Sequence, residues 1–188
     1  MQAELVSLSS KGKLRITYNW LYSALNCDPN DNSTFLWNIN SLGGNLVSLS
    51  PQDGYSGMTL YASVRDDWYW QVEVQAPHSA DWIQAVGRDE TIGMQTHDLG
   101  ILGFTGFNGS YIAVDDSTTT HDDSNGNSHT GYLLHSTSGD PTSKDTLWFP
   151  KISGSGVERE AIDLQSILNT FNITLTEEEY NRLLGQIS

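Results

Sequence analysis

The sequence predicts a mainly β fold, a small barrel of three repeated units, with an α-helical hairpin at its C-terminal end. Three recurring patterns predict it. A tyrosine strand reads Leu21-Tyr22-Ser23-Ala24-Leu25, then Leu60-Tyr61-Ala62-Ser63-Val64, then Ser110-Tyr111-Ile112-Ala113-Val114. A tryptophan strand answers each copy downstream: Phe35-Leu36-Trp37-Asn38-Ile39, Asp81-Trp82-Ile83-Gln84-Ala85 and Thr146-Leu147-Trp148-Phe149-Pro150. An apolar strand precedes each: Val6-Ser7-Leu8-Ser9, Val47-Ser48-Leu49-Ser50 and Ile101-Leu102-Gly103-Phe104. Starts at 6, 47 and 101 give periods of 41 and 54 residues, and a pattern that returns three times with large aromatics at matching places marks a repeat architecture.

Between residues 5 and about 152 the chain reads as short alternating runs separated by Gly, Asn, Asp, Ser and Pro. Lys13-Leu14-Arg15-Ile16-Thr17-Tyr18, Trp70-Gln71-Val72-Glu73-Val74-Gln75 and Tyr132-Leu133-Leu134-His135 each alternate with period two, so one face of each meets a core and the other water. Four strands per unit give about twelve, which is what a barrel of three hairpins capped by three more needs. The spacing from Tyr to Trp grows from 15 to 21 to 37 residues, and residues 117–130 of the third unit read as a long polar loop. Long loops on a rigid barrel commonly carry binding chemistry.

Ile152-Ser153-Gly154-Ser155-Gly156 reads as a joint between a β domain over residues 1–152 and a helical hairpin over 157–188. Val157, Ala161, Leu164, Leu168 and Phe171 form one amphipathic stripe. Thr176 and Glu179 form a capping box ahead of Tyr180, Leu183, Leu184 and Ile187. The hairpin is too small to bury both stripes alone, so it packs on the barrel or on a second copy of the chain; the sequence favours a homodimer through these helices.

Composition narrows the function. Nine Lys and Arg against 23 Asp and Glu give a net charge of −14, which repels phosphate backbones and acidic membranes and excludes nucleic acid as a partner. Six Trp, eight Tyr and five Phe support globular packing over disorder. Cys27 is the single cysteine, so no intrachain disulfide forms. No stretch reaches the roughly 18 apolar residues of a membrane span. The N-terminus lacks the basic and apolar regions of a conventional signal peptide, and the expected location is cytoplasmic or non-classically exported.

The repeats resemble those of the β-trefoil superfamily, with the segment Gly-Ser-Tyr-Ile-Ala-Val at 109–114 and its later aromatic strand similar to fascin-like and lectin-like trefoils. The Gln-x-Trp tripeptide of the ricin-type branch does not occur. The resemblance covers about 148 residues and implies the fold, with binding of carbohydrates or proteins as the usual task, but brings no site residues with it. Residues 168–184 also resemble the helical pair of an EF-hand protein, without the alternating acidic ligands and central Gly that calcium needs.

The expected function is therefore a non-enzymatic carbohydrate-binding protein, a lectin. The competing reading is a protein-interaction module such as a trefoil protease inhibitor or a cytoskeletal or structural adaptor. A sugar needs a flat ring under its C–H face and carboxylates around its hydroxyls. Asp66, Asp67 and Trp68 offer both within three residues, although an aromatic here could equally close the barrel. The corresponding polar segments after the other tyrosine strands contain Asn26 and Asp28, and Asp115 and Asp116, residue types that also serve turns. His121, Asp122, Asp123, Asn125 and His129 form the densest group of metal-ligand types, yet match no known ligand spacing, so neither a metal nor a cofactor is expected. No Gly-x-Ser-x-Gly elbow, His-Glu-x-x-His motif or phosphate-cradling loop occurs, and no His stands next to Cys27 in the sequence.

Overall fold

A computed structural model describes residues 1–19, 22–31, 34–52, 59–65, 69–75, 92–106, 110–122, 126–152 and 163–188. The fold is mainly β. Its strands are β1 (Gln2–Ser7), β2 (Lys13–Asn19), β3 (Tyr22–Asp28), β4 (Trp37–Gly43), β5 (Leu46–Pro51), β6 (Thr59–Arg65), β7 (Tyr69–Gln75), β8 (Ile92–Thr96), β9 (Leu102–Thr105), β10 (Tyr111–Asp122), β11 (Ser128–Thr137) and β12 (Leu147–Ile152). Two helices follow, α1 (Leu164–Thr170) and α2 (Glu177–Ile187). No helix among the described residues is long and apolar enough to cross a membrane.

All pairings among the described residues are antiparallel. β1 pairs with β4, β4 with β5, β5 with β8, β8 with β9, β9 with β12, and β12 returns to β1, so six strands close on themselves. The other six form the hairpins β2–β3, β6–β7 and β10–β11. These hairpins meet one another through β3–β7, β7–β11 and β3–β11. Closure removes the unpaired edges that an open sheet would expose.

Period-two alternation fills the interior. Val47 and Leu49 of β5, Trp37 and Ile39 of β4, Leu102 and Phe104 of β9, and Ile92 of β8 join Leu5 and Trp148 in one buried cluster. Trp37 and Trp148 are both fully enclosed there, whereas Trp82 lies outside the described residues. The indole N–H of Trp37 donates to the Leu14 carbonyl at 2.9 Å. That of Trp148 has no hydrogen-bond partner among the described residues.

The repeat segments within the described residues fall on strands in whole or in part but shift in phase, and the second tryptophan segment, 81–85, lies outside them. Val6 and Leu8 look outward to the helices, while Val47 and Leu49 look inward, so the matched letters occupy opposite faces. A one-residue slip reverses every side chain on a strand. The tyrosine pattern shifts as well: Tyr22 opens the returning strand of its hairpin, β3, whereas Tyr61 and Tyr111 lie on the leading strands β6 and β10. The expected loop at 117–130 is largely ladder, because β10 and β11 pair as far as Asp122 and Ser128. Its run Thr118-Thr119-Thr120 is β-branched and suits a strand.

β1 is buried on both faces from Ala3 onward, because the helical hairpin covers its outer side. Val6, Leu8, Ile101, Leu147 and Phe149 form a second cluster with Leu164, Ile167, Leu168, Leu183 and Ile187. Leu164, Leu168, Leu183 and Ile187 of the two stripes that suggested a homodimer are therefore covered by the chain's own barrel, whereas Leu184 stays exposed and Val157 and Ala161 lie outside the described residues. Glu4, also on the outer face of β1, is buried with Lys13 at 3.1 Å and Lys151 at 3.7 Å, which compensates its charge.

Local chemistry fixes the helix ends. The Asp163 carboxylate accepts from the Ser166 amide at 3.2 Å and caps α1. The expected capping box is present: the Glu179 amide donates to Thr176 Oγ1 at 3.2 Å, and the Thr176 amide donates to Glu179 Oε2 at 2.9 Å. Between them, Asn172 takes a left-handed φ of 55°, and the Ile173 amide donates back to the Leu168 carbonyl at 2.9 Å. This Schellman turn ends α1 and sets the direction of Phe171 and Asn172.

Candidate functional site

The residues expected after the third tyrosine strand meet in a hollow of about 260 Å³. A β-bulge creates their position: Val114 pairs with Leu134 and Thr118 with Tyr132, so β10 advances four residues while β11 advances two. The surplus pushes Asp115 and Asp116 off the ladder, as bulges do where a side chain must be re-aimed. Asp116 is almost wholly exposed, at 95% of its side chain, and Asp115 less so, at 39%. The opposite wall is the polar loop at 138–146, tied to the strand by the Val114 amide, which donates to the Asp145 carbonyl at 3.0 Å.

Lys11 joins the two walls. Its ammonium donates to Asp116 at 2.8 Å and to Asp145 at 3.2 Å, and lies 5.3 Å from the centre of the Tyr132 ring. Partial burial pulls its pKa down, but the hydrogen bonds and charges of Asp116 and Asp145 outweigh this and raise it. Asp116 is correspondingly held below the usual carboxylate range by Lys11. Asp140 is also lowered, because its carboxylate accepts from the backbone amide and hydroxyl of Thr142, both at 2.8 Å. His135 completes the hollow, its Nδ1 3.9 Å from Asp115 Oδ1 and without a hydrogen-bond partner among the described residues. The result is a concave surface rimmed by ionised carboxylates, hydroxyls and an imidazole.

These shifts set a pH window. A carboxylate lowered in the folded state contributes stability above its unfolded pKa, near ~3.9, and loses it as pH falls through the folded value. The raised Lys11 contributes below ~10.4 and loses it as pH rises past the folded value. Asp116→Asn is therefore expected to lower the unfolding midpoint between about pH 4 and 10 and to have no effect in acid, where the parent carboxylate is itself neutral. Thermal melts of both proteins across that range measure it. A difference that persists undiminished at pH 2 would show that the side chain acts through packing and not charge.

The other expected site residues lie elsewhere. Asp66, Asp67 and Trp68 fall outside the described residues. Asn26 and Asp28 are fully buried where β3 meets β11, and present no accessible edge to a ligand. Asp28 works as a turn former, its Oδ1 accepting from the Asn30 amide at 2.9 Å, while its Oδ2 lies 3.5 Å from His129 Nδ1. Arg15 and Asp31 form an ion pair nearby. Gly12, at φ +111°, packs so closely on the Asp28 backbone that a Cβ would strike its carbonyl. His121 and His129 are backbone partners in the β10–β11 ladder, residues 123–125 lie outside the described residues, and no group of three or more metal-ligand residues occurs among those described. The Cys27 thiol is buried, and burial pushes its pKa well up, so it is no nucleophile at neutral pH.

Sequence reasoning missed Lys11, His135, Asp140 and Asp145. Lys11 lies 105 positions from Asp116, a separation that no local pattern encodes. The polar run Ser138-Gly139-Asp140-Pro141-Thr142-Ser143 between two strands was the available signal for the loop. Comparison of the chain with protein-family models and with curated proteins gives no match.

Proposed function

We propose that this chain is a non-enzymatic carbohydrate-binding protein of the β-trefoil type. The closed ring of six strands with three hairpins meeting one another is the arrangement such a fold requires, and it supports that assignment. The observation that carries the function is the gathering of the Asp115, Asp116 and Asp140 carboxylates with the Thr137 and Ser143 hydroxyls around one hollow. Adjacent sugar hydroxyls each donate and accept, so carboxylates beside side-chain hydroxyls suit a vicinal pair. At about 260 Å³ the hollow lies just below the roughly 300–1,000 Å³ of small-molecule sites, a fit for a single pyranose. Asp66, Asp67 and Trp68 remain the proposal for a further sugar contact in the second unit.

The test is a glycan array carrying mono- to hexasaccharides of glucose, galactose, mannose and N-acetylglucosamine, followed by calorimetry. Asp115→Asn is expected to weaken the monosaccharide contact roughly tenfold or more, since a hydrogen bond to a charged group contributes about 1.5–3 kcal/mol. Trp68→Ala reports on the second site in the same assay. Absence of binding to every sugar rejects the lectin reading. The protein-interaction reading draws on one feature, the reach of β10 and β11 over 12 and 10 residues with mostly exposed side chains near the tip. Shortening that tip leaves glycan binding intact if the lectin reading is right.

A further inference from the structure

A second hollow, of about 890 Å³, opens between the barrel and the helical hairpin. Three segments line it: the chain leaving β8 at Thr96, His97 and Asp98, the loop at 140–144, and the α1–α2 connection at 170–174. Its lining is dominated by hydroxyls, amides and charged groups, with one aromatic, Phe171. Phe171 is only half-buried, and His97 braces it edge-on with ring centroids 5.9 Å apart and planes at 87°. Such a T-shaped contact sets the edge of one ring against the face of the other and holds both in place. Asn172, exposed at its left-handed φ of 55°, brings an amide to the same rim.

Asp140 and Ser143 line both hollows, which places the two side by side across the loop at 140–146. On the carbohydrate reading of the first hollow, we infer that the two together form one extended groove that takes a linear oligosaccharide, with the terminal pyranose against Asp115 and His135 and the following units along Phe171 and Asn172. Size favours this over a second isolated monosaccharide, because the larger hollow falls in the range that encloses ligands well beyond one sugar ring. Chemistry favours it too. A ring for C–H stacking, amides, hydroxyls and carboxylates in one cleft are what successive pyranose units present surfaces to. The C-terminal hairpin thereby acquires a task beyond covering the barrel: its turn supplies one wall of the groove.

Calorimetry with the mono- to hexasaccharides of the best-bound sugar from the array tests the inference on the full-length protein. Affinity is expected to climb about tenfold or more from the monosaccharide to the trisaccharide or tetrasaccharide. Phe171→Ala should remove that gain and leave the monosaccharide affinity as it was. Because Phe171 also touches the helical core, Asn172→Gly serves as the second variant: it keeps the left-handed turn, removes the amide, and should likewise reduce the gain for long ligands alone. Equal affinity for all lengths, or losses in these variants that are the same for monosaccharide and hexasaccharide, would overturn the groove while leaving the monosaccharide site standing. No binding to any sugar would overturn both.

Discussion

Replacing Trp37 by Ala is expected to destabilise the protein by about 3–5 kcal/mol, a large share of the 5–15 kcal/mol that holds a typical domain folded. The ring has no solvent exposure, sits 5.7 Å from Phe35 in a tilted packing, and belongs to the interior cluster on which the six-strand ring closes. Its loss leaves a cavity that neighbours fixed in a closed sheet cannot easily fill. Urea titration measures the effect as a lower midpoint at unchanged slope. Trp37→Phe separates packing from hydrogen bonding, since it strips the Leu14 carbonyl of its donor. Trp148→Phe removes an indole N–H that has no partner among the described residues, and should be the milder of the two. A Trp37→Ala protein as stable as its parent would mean that the ring does not close the barrel interior.

Leu183→Ala is expected to cost about 2–5 kcal/mol and to loosen the helical hairpin from the barrel. Leu183 is fully buried in α2, within the cluster that joins the helices to Val6, Leu8, Ile101, Leu147 and Phe149. Because that cluster is continuous across helix and sheet, the barrel flank and the helices should fail together. Helical circular dichroism followed in urea, with light scattering alongside, checks this. The variant should lose helical signal early and self-associate as the apolar flank becomes exposed. Loss of helix while the protein remains monomeric and the sheet transition is unchanged would show that the hairpin contributes nothing to covering the barrel.

Much of the fold was legible because its signals are local. Alternation in Leu46-Val47-Ser48-Leu49-Ser50-Pro51 marks a strand with one buried face, and the structure buries Val47, Leu49 and Pro51. The capping box at Thr176 and Glu179 is a contact between residues three apart, and it forms as read. The phase of the repeats was not legible. β1 carries Leu5 on one face and Val6 on the other, with Leu8 just past its end on the side of Val6, and a strand that is apolar on both faces gives no rule for choosing which one enters the barrel.

The candidate site divides in the same way. The acidic pair Asp115 and Asp116 could be picked out as a polar break directly after a strand, but the same argument selected Asn26 and Asp28, which the packing of β3 against β11 encloses. Exposure depends on what another part of the chain lays over a turn, and residue type does not record that. The sequence by itself determined the β character of the chain, its net acidity, the helical tail and the capping box at Thr176 and Glu179, since each follows from residue type and near spacing. Tertiary structure alone decided that Lys11 bridges Asp116 and Asp145, that His135 stands beside Asp115, and that the helical tail covers the barrel and lines the larger hollow with Phe171. Those contacts join segments far apart in the chain, and only the closing of the sheet brings such segments within the few ångströms over which hydrogen bonds and packing act.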